Sequence, residues 1–321
     1  MTAVLHLGIN PERFPQGTVE RVRAIAPDYE LLVTQDRATI EAELDRIEIA
    51  FGEFPHDLLP RATKLQWLQQ MGAGADWLAR HPEAQELSFT LTNASGVHAV
   101  PISEHMLGFL LALGRGFPAC IRDQHRRVWE ENRHQDLFEL AGKRVLLLGV
   151  GAIGERFARL CAACEMEVVG VRRDPSRTIE GITRMVGPDA IASELPQVDV
   201  LANTLPYTEE THHLIGRAEL GLIKEGSVVI NIGRGGTIDE AAMIDALRSG
   251  TLRAAGLDVF EEEPLPDDSP LWDMESVIVT PHYSGLTPRY NERLFEIFIR
   301  NLERYRKGEP LENIVDKRIG Y

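Results

Sequence analysis

The sequence predicts an α/β protein of two doubly wound, parallel-sheet domains, and three observations carry that prediction. Short runs apolar on both faces alternate with helical patterns along nearly the whole chain. One of these runs ends in three glycines and passes straight into helical periodicity. At 321 residues the chain is long for one core and suits two domains of ordinary size.

Residues 1 to about 98 read as the first unit. Apolar runs at Val4–Gly8, Leu31–Thr34, Ile47–Phe51, Leu65–Gln69 and Phe89–Thr92 alternate with helical patterns such as Thr39–Arg46. None of these runs ends in a G-x-G-x-x-G spacing. In Gln70-Met-Gly-Ala-Gly-Ala-Asp76 a strand ends in two glycines before the helical Trp77-Leu-Ala-Arg, so that N–H groups at Ala73 and Gly74 could hold a carboxylate. By itself the stretch reads as an ordinary turn.

Pro101–Leu113 is a helix apolar nearly all round, with proline near its first turn. Such a helix must be covered on more than one side, between domains or against a second subunit, and the expectation is a homodimer. The polar stretch Arg122–Gln135, with Trp129 in its middle, reads as a surface arm or interface element.

The second unit is organised around Arg144–Gly154, Arg-Val-Leu-Leu-Leu-Gly-Val-Gly-Ala-Ile-Gly. Val145–Leu148 is too short for a helix and apolar on both faces, as a central parallel strand must be. Gly149, Gly151 and Gly154 then match G-x-G-x-x-G: a tight turn, a close backbone approach to a pyrophosphate, and a helix seated on the strand. Ala152 and Ile153 would point free N–H groups at the phosphates. Ile153, Phe157, Leu160, Cys161 and Cys164 give the next helix its apolar face, and strand Glu167–Val171 completes a βαβ unit. A dinucleotide site is expected rather than a structural glycine turn.

The tip of that second strand selects the dinucleotide. NAD sites place an acidic residue about 20 residues past the glycines to take the ribose hydroxyls; here that place holds Arg172 and Arg173, followed by Asp174. Two guanidiniums would neutralise a 2′-phosphate, so NADP(H) is preferred and NAD(H) is possible. The competing reading is a pair of solvated surface arginines.

Further strand patterns at Val198–Asn203, Ser227–Ile232, Ala254–Val259 and Ser276–Thr280 end in chemically rich segments. These are Asn203-Thr-Leu-Pro206, Asn231-Ile-Gly-Arg-Gly-Gly236, Leu257-Asp-Val-Phe-Glu-Glu-Glu-Pro264 and Thr280-Pro-His-Tyr-Ser-Gly285. The C-terminal ends of the strands are where an open α/β sheet binds its ligand, so Arg, Asp, Glu and His converge on one rim.

Composition narrows the remaining classes. The chain is 44% hydrophobic and 26% charged, with a formal charge of −15, which disfavours nucleic-acid and anionic-membrane partners. No apolar run approaches the roughly 18 residues of a membrane span, and the start lacks a signal-peptide pattern, so a cytoplasmic protein is expected. Cys161-Ala-Ala-Cys164 has redox or metal spacing, yet both cysteines fall late on an apolar helix face with no second pair. They read as buried packing residues and no metal site is expected. Cys120 stands alone.

In this order, after the glycine motif, the four segments resemble the D-isomer-specific 2-hydroxyacid dehydrogenase family over nearly the whole chain; Asn231–Gly236, Asp258 through Glu263-Pro264, and Pro281-His282 are the most specific pieces. The resemblance implies two Rossmann-like domains with the catalytic cleft between them. Residues 1–98 and 289–321 would form the substrate-binding domain, the last helix crossing back, and 99–288 the dinucleotide-binding domain. It further implies that Arg234 grips the substrate's carboxylate and carbonyl oxygen, that His282 exchanges the proton, and that Glu263 orients and charges it. Asp258 would hold the nicotinamide carboxamide, and Ala73 and Gly74 would meet the substrate carboxylate. Leu205, Pro206, Ile232, Gly233 and Gly285 would line the cofactor beside Arg234 and His282.

Independent chemistry supports those roles. Reducing a 2-oxo acid needs a hydride donor, a proton donor and fixed positive charge. An Arg fork matches a carboxylate, and a His paired with a carboxylate is fixed in tautomer and favoured as imidazolium. The expected substrate is a small 2-oxo or 2-hydroxy acid of the glyoxylate or hydroxypyruvate kind. Glu263-Pro264 argues against the formate dehydrogenase branch of the family, in which this carboxylate is replaced. The chain ends at Tyr321, shortly after the amphipathic helix of Leu294, Ile297, Phe298, Leu302 and Tyr305, which leaves no room for the regulatory domain of some phosphoglycerate dehydrogenases. His98 reads as a satisfied loop histidine. The alternative function is a nucleotide-sensing corepressor-like binding protein on the same fold; the long Ser/Pro- or Gly-rich tail usual there has no counterpart in this sequence.

Overall fold

A computed structural model describes residues 2–132 and 137–318. They divide into two units, Met1–Val97 with Thr287–Tyr321, and His98–Leu286. The expected positions 133–135 of the polar arm and the terminal Tyr321 lie outside the described residues.

In the first unit the chain runs β1 (Val4–Gly8), α1 (Thr18–Ile25), β2 (Glu30–Val33), α2 (Arg37–Ala42), β3 (Ile47–Gly52), β4 (Trp67–Gln69) and β5 (Thr90–Thr92). Its strands form one parallel sheet in the order β2-β1-β3-β4-β5. The expected helix over Thr39–Arg46 is shorter: Asp36 caps α2 through Thr39 N at 2.8 Å, and the chain tightens into a 3₁₀ turn at Leu44–Arg46.

The second unit begins with α3 (Ala99–Gly114) and α4 (Phe117–Arg126), then β6 (Arg144–Leu148), α5 (Ala152–Ala163), β7 (Glu167–Val171) and β8 (Arg184–Val186). It continues through α6 (Ile191–Glu194), β9 (Val200–Asn203), α7 (Arg217–Leu220), β10 (Ser227–Asn231), α8 (Glu240–Ser249), β11 (Leu252–Leu257) and β12 (Val277–Val279). All seven strands are parallel, in the order β12-β11-β10-β9-β6-β7-β8. The chain direction therefore reverses between β6 and β9, the switch point at which such sheets open a crevice. Because the sheet is parallel, every strand delivers its C-terminal residue to the same edge. Strand β8 has no counterpart in the sequence pattern, since only Val186 of its three residues is buried.

Helix α9 (Tyr290–Lys307) belongs to the first unit, and Gly308 ends it at φ +68°. Its Phe298 stacks on Phe51 at 4.2 Å and on Trp67 at 5.4 Å between ring centroids. Each sheet has a separate apolar core on either face, as two-sided burial of parallel strands requires. Helix α3 buries Met106, Phe109, Leu110 and Leu113 within its own unit, against α5 and β11, while Leu111 is exposed. Arg122 to Arg126, read from sequence as the start of a surface arm, are the end of helix α4.

Candidate active site

The glycine loop follows from local sterics. Gly149 turns at φ +87°, where a side chain would be strained. A Cβ at Gly154 would stand 2.4 Å from Gly149 O, so the helix can sit on the loop only with glycine there. At Gly151 a Cβ would meet nothing within 4 Å, so the protein itself makes no demand for glycine and the space before the backbone is open. Helix α5 starts at Ala152 with no side chain capping it, which leaves the first-turn N–H groups of Ala152, Ile153 and Gly154 to a ligand. These features fit a dinucleotide pyrophosphate.

Arg172 and Arg173 stand just past β7. Arg172 Nη1 donates to Val150 O at 3.2 Å and has no carboxylate partner among the described residues. Arg173 is paired with the exposed Glu210, and Asp174 turns away to accept from Ser176 N at 3.0 Å. That bond, the Ser176 hydroxyl and the nearby Arg172 and Arg177 hold the Asp174 carboxyl below its usual range. One cation is thus held against the glycine loop, as a 2′-phosphate would require.

The loop after β10 is built to pin a backbone and leave a side chain unpaired. A Cβ at Gly233 would meet Leu205 O at 2.6 Å, and one at Gly235 would overlap Phe260 at 1.9 Å, so glycine must flank Arg234. Arg234 O accepts from Thr237 Oγ1 at 2.6 Å and from Asn231 Nδ2 at 3.3 Å. Below it, buried Asn203 Nδ2 donates to Asn231 Oδ1 at 2.9 Å and to Thr237 Oγ1 at 2.6 Å. The exposed guanidinium of Arg234 donates to Gly233 O at 2.7 Å and meets no carboxylate among the described residues. Leu205, Pro206 and Ile232 lie beside these turns, at the ends of β9 and β10; Leu205 N donates to Asn203 Oδ1 at 3.2 Å.

His282 and Glu263 meet across two loops. His282 Nδ1 lies 2.6 Å from Glu263 Oε2, while Glu263 Oε1 accepts from Phe260 N at 3.0 Å. His282 has φ +50°, a conformation a non-glycine residue holds only when its surroundings enforce it. Asp258 does the enforcing. Wholly buried, it accepts from Thr280 Oγ1 at 2.6 Å, Tyr283 N at 3.1 Å and Ser284 N at 3.1 Å, spanning the histidine on both sides. The expected carboxamide contact of Asp258 is therefore set beside an inward role that the sequence did not reveal. His105 Nε2 extends the chain to Thr280 Oγ1 at 3.1 Å; burial lowers the His105 pKa, with Asp258 opposing. Gly285 O meets His98 Nδ1 at 3.0 Å, so His98 is a satisfied loop histidine.

In the first unit, the loop after β4 has its carbonyls tied down. Met71 O accepts from Tyr290 OH, Gly72 O from Ala94 N and Gln70 Nε2, Ala73 O from Asn93 Nδ2, and Gly74 O from Gln70 Nε2. With the oxygens engaged on one side, the N–H groups of Ala73 and Gly74 have no acceptor among the described residues, which is the construction of an anion nest.

Asn203, Asn231, Thr237, Thr280 and His105 were missed as supporting residues. For Asn203, Asn231 and Thr280 the signal was a polar side chain at the end of an apolar strand, where it needs a partner; Thr237, in a 3₁₀ turn, and His105, within α3, carried no such signal. Among the described residues no group of three or more His, Cys, Asp or Glu could hold a metal. Burial pushes the Cys161 thiol up to about 12, as an inert packing cysteine should be. Cys164, expected beside it in the core, instead closes the helix and is half-buried.

The family model for the D-isomer specific 2-hydroxyacid dehydrogenase, NAD binding domain, matches residues 107–284. The glyoxylate reductase of Aeropyrum pernix is 33% identical over 307 residues, covering 91% of this chain and 88% of that protein. The D-3-phosphoglycerate dehydrogenase of Archaeoglobus fulgidus is 30% identical over 301 residues, covering 92% of this chain but 53% of the relative; the chain spans about half the length of the phosphoglycerate dehydrogenases it matches. Among solved structures, a D-isomer specific 2-hydroxyacid dehydrogenase from Xanthobacter autotrophicus in complex with NADPH and MES superposes with a TM-score of 0.78, at 30% identity and 100% coverage of both chains. The glycine loop, the Arg234 turn and the Glu263–His282 pair on one sheet edge agree with that likeness, and the chain belongs to the D-isomer specific 2-hydroxyacid dehydrogenase family.

Proposed function

We propose that this protein is an NADP(H)-preferring D-2-hydroxyacid dehydrogenase that works mainly as a reductase of small 2-oxo acids such as glyoxylate or hydroxypyruvate, with NAD(H) as a weaker alternative. The observation that carries it is the delivery of an unpaired Arg234 and the Glu263–His282 pair to the same sheet edge as an uncapped glycine loop. The glyoxylate reductase likeness and the NADPH in the Xanthobacter structure support the choice of acceptor and cofactor.

The bound nicotinamide would supply the hydride. The chain's own groups do the rest. Arg234 orients the acceptor through its carboxylate and polarises the 2-oxo oxygen. His282, with Nδ1 on Glu263, presents Nε2 to donate the proton that the developing alkoxide takes. The Ala73 and Gly74 amides offer the carboxylate further donors, and Arg172 takes the 2′-phosphate.

The test is oxidation of NADPH and NADH, side by side, against glyoxylate, hydroxypyruvate, pyruvate, phenylpyruvate and 2-oxoisocaproate. NADPH is expected to be favoured, and Arg172→Asp to lower kcat/KM for NADPH roughly 10- to 100-fold while changing that for NADH far less. An unaltered cofactor ratio would remove Arg172 from the site. Cofactor binding with no acceptor reduced would favour the sensing-module reading.

We also propose a homodimer. Phe117 and Ile121 on α4, with Val128 and Trp129 beyond it, are exposed, Trp129 by 88%, and an apolar patch of this kind marks an interaction surface. Sedimentation velocity should give a dimer that Ile121→Asp with Trp129→Glu converts to monomer; a monomeric native protein would reject it.

A further inference from the structure

The first unit carries a cleft of its own beside the Ala73–Gly74 loop. It has a volume of 430 Å³, and its lining includes Glu53, His56, Gln70, Gly74, Trp77 and Arg80. One wall is rigid: His56 stacks on Trp77 with centroids 3.9 Å apart and planes at 17°. Trp77 Nε1 in turn donates to Gln70 Oε1 at 2.8 Å, and the amide of the same Gln70 holds the carbonyls of Gly72 and Gly74. The aromatic wall and the anion loop are thus one hydrogen-bonded assembly.

Arg80 and Glu53 are the charged side chains of the cleft lining, and no ion pair joins them. Arg80 is exposed and has no carboxylate partner among the described residues. The described acids nearby are already engaged: Asp57 accepts from both Nη atoms of Arg37 at 2.9 and 2.6 Å, Glu83 lies 3.2 Å from His81 Nδ1, and Glu53 accepts from Gln35 Nε2 at 2.9 Å. Burial, then the neighbouring His81 and Arg80, lower the His56 pKa and keep that ring neutral at neutral pH. The Arg80 guanidinium and the loop residues Gly72 and Gly74 therefore line one cleft in a chain whose formal charge is −15.

We propose that Arg80 reads a second anionic group on the acceptor, so that among longer 2-oxo acids of equal size those with a terminal carboxylate are reduced in preference to neutral ones. This rests on the reading of the protein as a 2-oxo acid reductase. The loop amides take the first carboxylate and the Arg80 fork takes the distal one, as a planar guanidinium is suited to do. The aromatic wall fixes the carbon chain between them.

Oxaloacetate and 2-oxoisocaproate share a heavy-atom skeleton and differ in the charge of the terminus, so the ratio of their kcat/KM values isolates Arg80. That ratio is expected to exceed 1 in the native enzyme and to fall roughly 10- to 100-fold in Arg80→Met, with Arg80→Lys recovering part of it. An unchanged ratio overturns the proposal. If neither these acids nor glyoxylate or hydroxypyruvate are reduced, the reductase reading fails. Calorimetric binding of D-malate against D-2-hydroxyisocaproate then puts the same question to the cleft without turnover. A binding preference lost in Arg80→Met supports Arg80 as an anion reader, and equal binding of the two acids to the native protein rejects it.

Discussion

Replacing Arg234 with alanine is expected to lower kcat/KM for 2-oxo acid reduction roughly 10²- to 10³-fold, with kcat and KM both affected. The reason lies in how the structure treats the residue. Its backbone carbonyl is held by Thr237 and Asn231, and glycines that no other residue could replace flank it, yet the guanidinium is exposed and, among the described residues, bonded only to Gly233 O. A chain that fixes a backbone this firmly and leaves the charge uncompensated has a ligand to meet. Arg234→Lys should recover only part of the loss, because an ammonium keeps the charge and loses the planar fork. Circular dichroism should be unchanged, since the side chain packs into no core. Native kinetics in Arg234→Ala would remove it from the site.

What was legible in the sequence was what local sterics demand. Gly149 and Gly154 announce a turn and a close approach whatever the rest of the chain does, and Gly233-Arg-Gly235 does the same. Strand cores were legible because parallel strands are apolar on both faces. What was hidden depends on partners far away in sequence. Asn203 holds Asn231 and Thr237 from 28 and 34 residues off, and Asp258 holds the amides of Tyr283 and Ser284 from 25 and 26. No periodicity encodes such pairings. Strand β8 was hidden for another reason: it lies at the sheet's edge, so its burial pattern is too weak to stand out. That Arg80 has no carboxylate partner among the described residues was equally invisible, because it depends on Asp57 and Glu83 having other partners.

Glu263→Gln tests the other half of the site. It is expected to lower kcat for reduction about 10- to 100-fold, and His282→Ala to lower it roughly 10²- to 10⁴-fold. Both follow from one geometry. Glu263 Oε2 lies 2.6 Å from Nδ1, its other oxygen is fixed by Phe260 N, and the positive φ of His282 is maintained by the Asp258 bonds to Tyr283 N and Ser284 N. In the proposed mechanism the carboxylate acts only through the ring, by holding its tautomer and orientation. An amide in its place can turn either its oxygen or its N–H to Nδ1, so it no longer fixes which ring nitrogen carries the proton. A side chain that acts through its partner also has nothing left to contribute once the partner is gone: Glu263→Gln combined with His282→Ala should be no slower than His282→Ala alone. Losses that multiply in the double variant would show that Glu263 meets the substrate by itself.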